Sequence, residues 1–192
     1  MARPREFDRD VVLGEAIKVF TSHGFEGAST DALLKRMGIC RQSLYDTFGD
    51  KRRLYLEALQ RYSSSSTAEI IGVMHSRASP LKGLEAALLS FASRPAIAPE
   101  NGCLGIGAVS EFGRLDRDVN AITDAAAATM LSAFENVIRK GKAAGEFAAD
   151  LGEREAAQFI SATLAGIKVS ARAGAAPEAL HNIVRIALRS LK

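Results

Sequence analysis

The chain has 192 residues, 47% of them hydrophobic, which is enough to bury a real core and excludes a disordered polymer. Its formal charge is only +3, with a pI near 9.0, so bulk charge alone is a weak pointer to nucleic acid. Two cysteines, Cys40 and Cys103, lie far apart without CxxC spacing, which argues against a disulfide framework or a structural zinc site.

Residues 1–6 carry Arg3 and Arg5, a short basic arm of the kind that either lies along phosphates or frays. Asp8 is a predicted N-cap, with Phe7 and Val12 spaced as a hydrophobic staple. The helix that follows presents Leu13, Ala16, Ile17 and Phe20 on one side and is expected to stop at Gly24, after which Phe25 packs back. Ser29 can cap a short second helix with its hydroxyl, and Asp31 falls where the helix dipole favours negative charge. Leu33, Leu34 and Met37 give that helix an apolar face, and Gly38 ends it. Ile39 plugs the corner. A third helix begins near Cys40, with Leu44 and Phe48 four residues apart on its buried side, and Gly49 and Asp50 stop it and cap the next. Two short helices joined by a tight glycine-containing turn describe a helix-turn-helix, whose second helix can enter the major groove of DNA.

The outward face of the third helix carries Arg41, Gln42, Ser43, Tyr45 and Thr47. Arg pairs with guanine, Gln with adenine, and hydroxyls with bases or phosphates. Between residues 35 and 53, Lys35, Arg36, Arg41, Lys51, Arg52 and Arg53 face only Asp46 and Asp50. Asp46, an acid beside a polyanion, is expected to point away from the groove. Cys40 sits at the positive end of this helix beside Arg41, which predicts a lowered thiol pKa and an oxidisable position at the DNA surface. The bland alternatives are a tolerated small residue at a cap and, for the whole stretch, a helical hairpin with a solvated polar face.

From Asp50 a long helix is predicted through Leu54, Leu59 and Tyr62 towards Met74, crossing the serines at 63–66 because Ile70 and Ile71 resume its period. Ser79-Pro80 opens another, with Leu84, Leu88 and Phe91, and 94–100 is a loop containing Pro95 and Pro99. Asn101 is expected to cap a short helix through Leu104, Val109 and Phe112, and a further helix starts near Asp116 and carries Ile122, Met130, Phe134 and Val137. Asp150 and Glu153 form a capping-box-like pair before Phe159, Ile160, Leu164 and Ile167, and Pro177 opens a last helix through Leu180, Val184 and Leu191. Strand signals are poor and no internal repeat is found. The expected fold is all-α, with about nine helices. Residues 1–50 are expected to form a helix-turn-helix DNA-binding domain and 51–192 a helical domain for ligand binding and dimerisation.

The residues MGICRQSLYDTFGDKRRLYLEAL resemble the DNA-binding domain of tetracycline-repressor-like (TetR/AcrR) transcriptional regulators. Leu44-Tyr45, Phe48-Gly49-Asp50-Lys51, Ala16, Phe20, Gly24-Phe25 and Ser29-Thr30 stand at that family's spacing, and the resemblance is specific over residues 7–62. Cys40 departs from it, standing where such proteins often have Ser or Thr. The resemblance implies a DNA surface built from Ser29, Thr30, Arg41, Gln42, Ser43, Tyr45, Thr47 and Lys51. It also implies a small-molecule pocket in the second domain, where Met74, Phe91, Cys103, Met130, Phe134 and Thr163 come from five predicted helices and suit a hydrophobic or aromatic effector.

Self-association is placed on the last two helices, at Phe159, Ala165, Gly166, Ile183, Val184 and Ala187, with small residues allowing close approach in a four-helix bundle. Enzyme chemistry finds little support. His23, His75 and His181 are scattered without HExxH spacing, there is no Walker loop, and Gly102-Cys103-Leu104-Gly105-Ile106-Gly107 follows no strand. Cys103 near a helix start is a candidate for reaction with electrophiles, with a buried inert thiol as the alternative. No cofactor is expected. Residues 1–7 lack the apolar segment of a signal peptide and no apolar run is long enough to span a bilayer, so a cytoplasmic protein without a membrane partner is expected. The reading is a homodimeric repressor released from a palindromic double-stranded operator by a small molecule. Its rivals are a helical-bundle ligand carrier or enzyme, and an architectural DNA-binding protein without regulation.

Overall fold

The computed structural model describes residues 7–92 and 102–192. Among them are nine helices and no strand: α1 (Arg9–Gly27), α2 (Thr30–Met37), α3 (Arg41–Phe48), α4 (Lys51–His75), α5 (Pro80–Ala92), α6 (Leu104–Phe112), α7 (Arg117–Ala143), α8 (Glu153–Arg172) and α9 (Pro177–Arg189). The all-α expectation holds. The basic arm with Arg3 and Arg5, the 94–100 loop and the Asn101 cap lie outside the described residues.

The chain forms two compact units, and they do not divide at residue 50. One comprises the described part of Met1–Ser63 together with Gly102–Thr123; the other comprises the described part of Ser64–Asn101 together with Asp124–Lys192. α4 and α7 each contribute one end to either unit. The serines at 63–66 are helical, as their flanking period predicts.

The first unit closes around Leu13, Ala16, Phe20, Leu33, Leu44, Leu54, Tyr55, Leu59, Leu104 and Ala108, all at most 2% exposed. Asp8 caps α1, its side chain accepting from the amides of Asp10 and Val11. Instead of stopping at Gly24, α1 kinks there and a final turn reaches Gly27. Phe25 returns to the core as expected, its ring centroid 5.1 Å from that of Tyr55 and 5.7 Å from that of Phe112. Asp116 opens α7, accepting from the amides of Asp118 and Val119.

The second unit packs α5, α8 and α9 with parts of α4 and α7 around Leu84, Leu88, Phe134, Ile138, Ala157, Ile160 and Ile167. Gly83 lets α5 meet the end of α4, since a Cβ there would lie 2.1 Å from the Met74 carbonyl oxygen. Glu146 accepts from the Ser79 hydroxyl at 2.9 Å and the Leu81 amide at 2.7 Å, satisfying the start of α5. Asp150 does not open α8. Gly152 occupies the N-cap without a side-chain bond, so the expected capping box is absent.

Candidate nucleic-acid interface

α2 and α3 are built as their residues dictate. The Ser29 hydroxyl accepts from the Ala32 amide at 3.1 Å, and Leu33 and Met37 are buried. Gly38 adopts φ 67°, ψ 28°, a left-handed conformation costly for a residue with Cβ, and its amide returns to the Leu34 carbonyl. Ile39 is half-buried in the corner. Leu44 and Phe48, 0% and 5% exposed, pin α3 to the core, and Arg9 stacks 5.0 Å above the Phe48 ring.

With those two residues inward, Arg41, Gln42, Tyr45 and Asp46 are exposed, and Ser43 and Thr47 flank them half-buried. The Gln42 amide donates to the Asp46 carboxylate at 2.8 Å. Asp46 therefore does not turn away from the face that carries Gln42; a spacing of four residues keeps the two together. Arg41 donates to Asp31 at 2.9 Å, an exposed pair worth little and easily exchanged for a phosphate or base. Ser29 is exposed beside half-buried Thr30 at the start of α2. Lys51 extends its ammonium over the Phe25 ring at 4.5 Å.

Not all the sequence's cations serve this surface. Arg36 is tied to Glu15 at 2.6 Å, and Arg52 is bonded to Asp116 and Asp118. The Asp116 carboxyl is held down at about 2 by the Arg52 guanidinium first and the Val119 amide second. Lys35 and Lys51, with Arg41 and Arg53 in exposed pairs to Asp31 and Asp50, supply the positive field.

Cys40 occupies the N-cap of α3 without capping it by its side chain. Its Sγ lies 3.2 Å from the Ser43 hydroxyl, and this contact, followed by the Ser43 amide, draws the thiol below its ordinary pKa.

Two supports were not legible in the sequence. The Glu111 carboxylate, on α6, accepts from the amides of Phe25 and Glu26 at 2.8 and 2.7 Å and holds the kinked end of α1. Tyr55 fills the centre, its ring 5.0 Å from that of Phe20, and burial pushes its phenol pKa upward. No local spacing signals either role, because their partners lie far along the chain.

Residues 12–58 match the family described as bacterial regulatory proteins, tetR family, and residues 79–187 match the tetracyclin repressor-like C-terminal domain. The chain belongs to the tetR family. It is 28% identical to the HTH-type transcriptional repressor ComR of Escherichia coli (strain K12) over 97% of this chain and 90% of that protein. It is 48% identical over 71 residues to YezE of Bacillus subtilis (strain 168), named an uncharacterized HTH-type transcriptional regulator, where the match covers 37% of each. Among solved structures, a cysteine mutant of the TetR family transcriptional regulator CifR, complexed with 26-bp double-strand operator DNA, superposes with a TM-score of 0.81. That match is 33% identical and covers 99% of this chain and 100% of the other. Members of this family are DNA-binding transcriptional regulators, not enzymes.

The remaining site residues of this tetR-family chain are less uniformly placed. Met74, Phe91 and Phe134 are buried in the core of the second unit and Met130 packs against it. Thr163 is half-buried, its hydroxyl donating to the Phe159 carbonyl, and Cys103 belongs to the first unit. The six do not line a common described cleft. Met74 lines a cleft of about 250 Å³ with His75, Arg77, Ala78, Pro80, Val137 and Lys140. A second, of about 220 Å³ between α5 and α9, also has a cationic rim, with Lys82, Arg185, Arg189 and Lys192. Both are more charged than the apolar pocket expected.

Of the residues assigned to self-association, Phe159 and Ile183 are 46% and 39% exposed, Gly166 is exposed and Ala165 is half-buried. Val184 and Ala187 are each 2% exposed within the unit's own core, so they are not available to a second copy. Val169 and Ile186 are 52% and 55% exposed and extend the outward apolar faces of α8 and α9. No helix among the described residues is long and apolar enough to cross a membrane.

Proposed function

We propose that this tetR-family regulator is a homodimeric repressor that reads a palindromic operator through α3 and is released by a small effector. The observation that carries the readout is the outward face of α3, where Arg41, Gln42, Tyr45 and Asp46 stand exposed around the anchor formed by Leu44 and Phe48. Ser29, Thr30, Ser43, Thr47 and Lys51 border that face and supply the phosphate contacts that set its register.

Dimerisation is supported by the exposed apolar residues Phe159, Val169, Ile183 and Ile186, around Ala165 and Gly166. Two copies would present recognition helices roughly 34 Å apart, one turn of DNA. The effector is taken by the second unit, where Met74 and Val137 line a cleft of about 250 Å³ together with Arg77 and Lys140. A ligand that prefers a conformer with another helix separation weakens operator binding by its differential affinity for the two states. The protein acts on DNA in the cytoplasm.

Selection of bound fragments from random duplex DNA, followed by sedimentation of the protein–DNA complex, tests this directly. A recovered two-fold symmetric site holding two copies is expected. Recovery of unrelated sequences would instead identify an architectural DNA-binder.

A further inference from the structure

We infer that Asp46 is a specificity-determining residue, selecting in the major groove a base that presents an exocyclic amino group, cytosine N4 or adenine N6. The inference rests on the placement of α3 against DNA proposed above. Gln42 and Asp46 are exposed, four residues apart, and joined by a bond of 2.8 Å from the amide nitrogen to Asp46 Oδ1. Asp31 and Asp50 face Arg41 and Arg53 respectively, whereas Asp46 makes no ion pair among the described residues. Its second oxygen is thus committed to no cation on a face bordered by Tyr45.

A carboxylate is acceptor-only. Beside a polyanion it lowers affinity for every sequence alike, and only a base amino group offers it a hydrogen bond. Guanine O6 and N7 and thymine O4 would set acceptor against acceptor, so those bases are rejected. The same carboxylate orients Gln42. One amide N–H is engaged, leaving the other N–H and the carbonyl oxygen as the donor–acceptor edge that matches adenine N7 and N6. Asp46 therefore lowers general affinity and raises discrimination, a difference that governs site choice among many competing sequences.

The test uses the full-length protein and its Asp46→Asn, Asp46→Ala and Gln42→Ala variants, each selected on random duplex DNA. Dissociation constants are then measured on the best wild-type site and on every single-base change of it. Both Asp46 variants should bind random duplex several-fold more tightly and lose roughly ten-fold discrimination at one base pair where the wild type demands cytosine or adenine. Unchanged circular dichroism and melting of Asp46→Asn would show that the fold is intact. Wild-type preferences retained at every position in both Asp46 variants would overturn the inference. If Gln42→Ala relaxes the site while the Asp46 variants do not, only this inference fails. If the wild type selects no site, the reading of α3 fails with it.

Discussion

The two units differ in how far along the chain their ion pairs reach. The first joins residues far apart in sequence through charged groups: Arg9 to Glu57, Arg61 to Asp10, Arg52 to Asp116, and the Glu111 carboxylate to the amides at the end of α1. The second, whose apolar core is as broad as the first's, has ion pairs that join residues nearer in sequence, Arg139 to Glu153 and Arg154 to Glu135. Its α8 and α9 carry Phe159, Val169, Ile183 and Ile186 outward. On the proposed function the first unit faces a polyanion, which suits the polar outer face of α3, and the second meets its own copy, which suits the exposed apolar residues of α8 and α9. Burial of such a surface is the dominant favourable contribution to most association.

The largest expected effect tests the second half of that contrast. Phe159→Glu combined with Ile183→Glu should convert a dimer to monomer in sedimentation, because four charges would be brought to one apolar seam per pair of subunits. Operator affinity should fall about 100-fold or more, since two half-sites are no longer engaged together. Val184→Ala provides the contrast. It trims the unit's own core, and should lower the melting temperature while leaving the dimer assembled. A double-glutamate variant that stayed dimeric would move the interface elsewhere.

The next effect lies on α3. Gln42→Ala should cost roughly 1–3 kcal/mol on the best site and relax one or two base pairs. Lys51→Ala should weaken all sequences alike and reduce the salt slope by about one. Affinity titrations at several salt concentrations separate the two, and full affinity in both variants would remove α3 from the groove.

What was legible in the sequence was local. Ser29, Gly38, Leu44, Phe48 and Gly49 lie within one short stretch, and each has a conformational reason to stand where it does. Contacts across long separations leave no such mark: Glu111 reaches Phe25 across 86 positions and Arg52 reaches Asp116 across 64. This is why α6, far along the chain from α1, joins the first compact unit. Phase within an apolar run is equally hidden. Ile183, Val184, Ile186 and Ala187 are all apolar, and hydropathy alone does not say that 184 and 187 face the unit's own core while 183 and 186 face outward.

The smallest effect sharpens the polar half of the contrast. Asp116 has its carboxyl lowered from an ordinary 3.8 to about 2, chiefly by Arg52. A group whose pKa is lower folded than unfolded contributes stability that is fully present above the unfolded value and lost as pH falls through the folded one. Arg52 remains charged throughout this range. The contribution is therefore complete above pH 3.8 and fades towards pH 2. Asp116→Asn removes the titrating group but keeps its shape, so the variant should be less stable than wild type near neutrality and the two should converge in acid. Denaturant midpoints measured at steps between about pH 5 and 2 give the comparison, with Asp150→Asn, at an exposed carboxylate, as the control. A constant difference between Asp116→Asn and wild type across that window would mean that the Asp116 charge does not brace the unit.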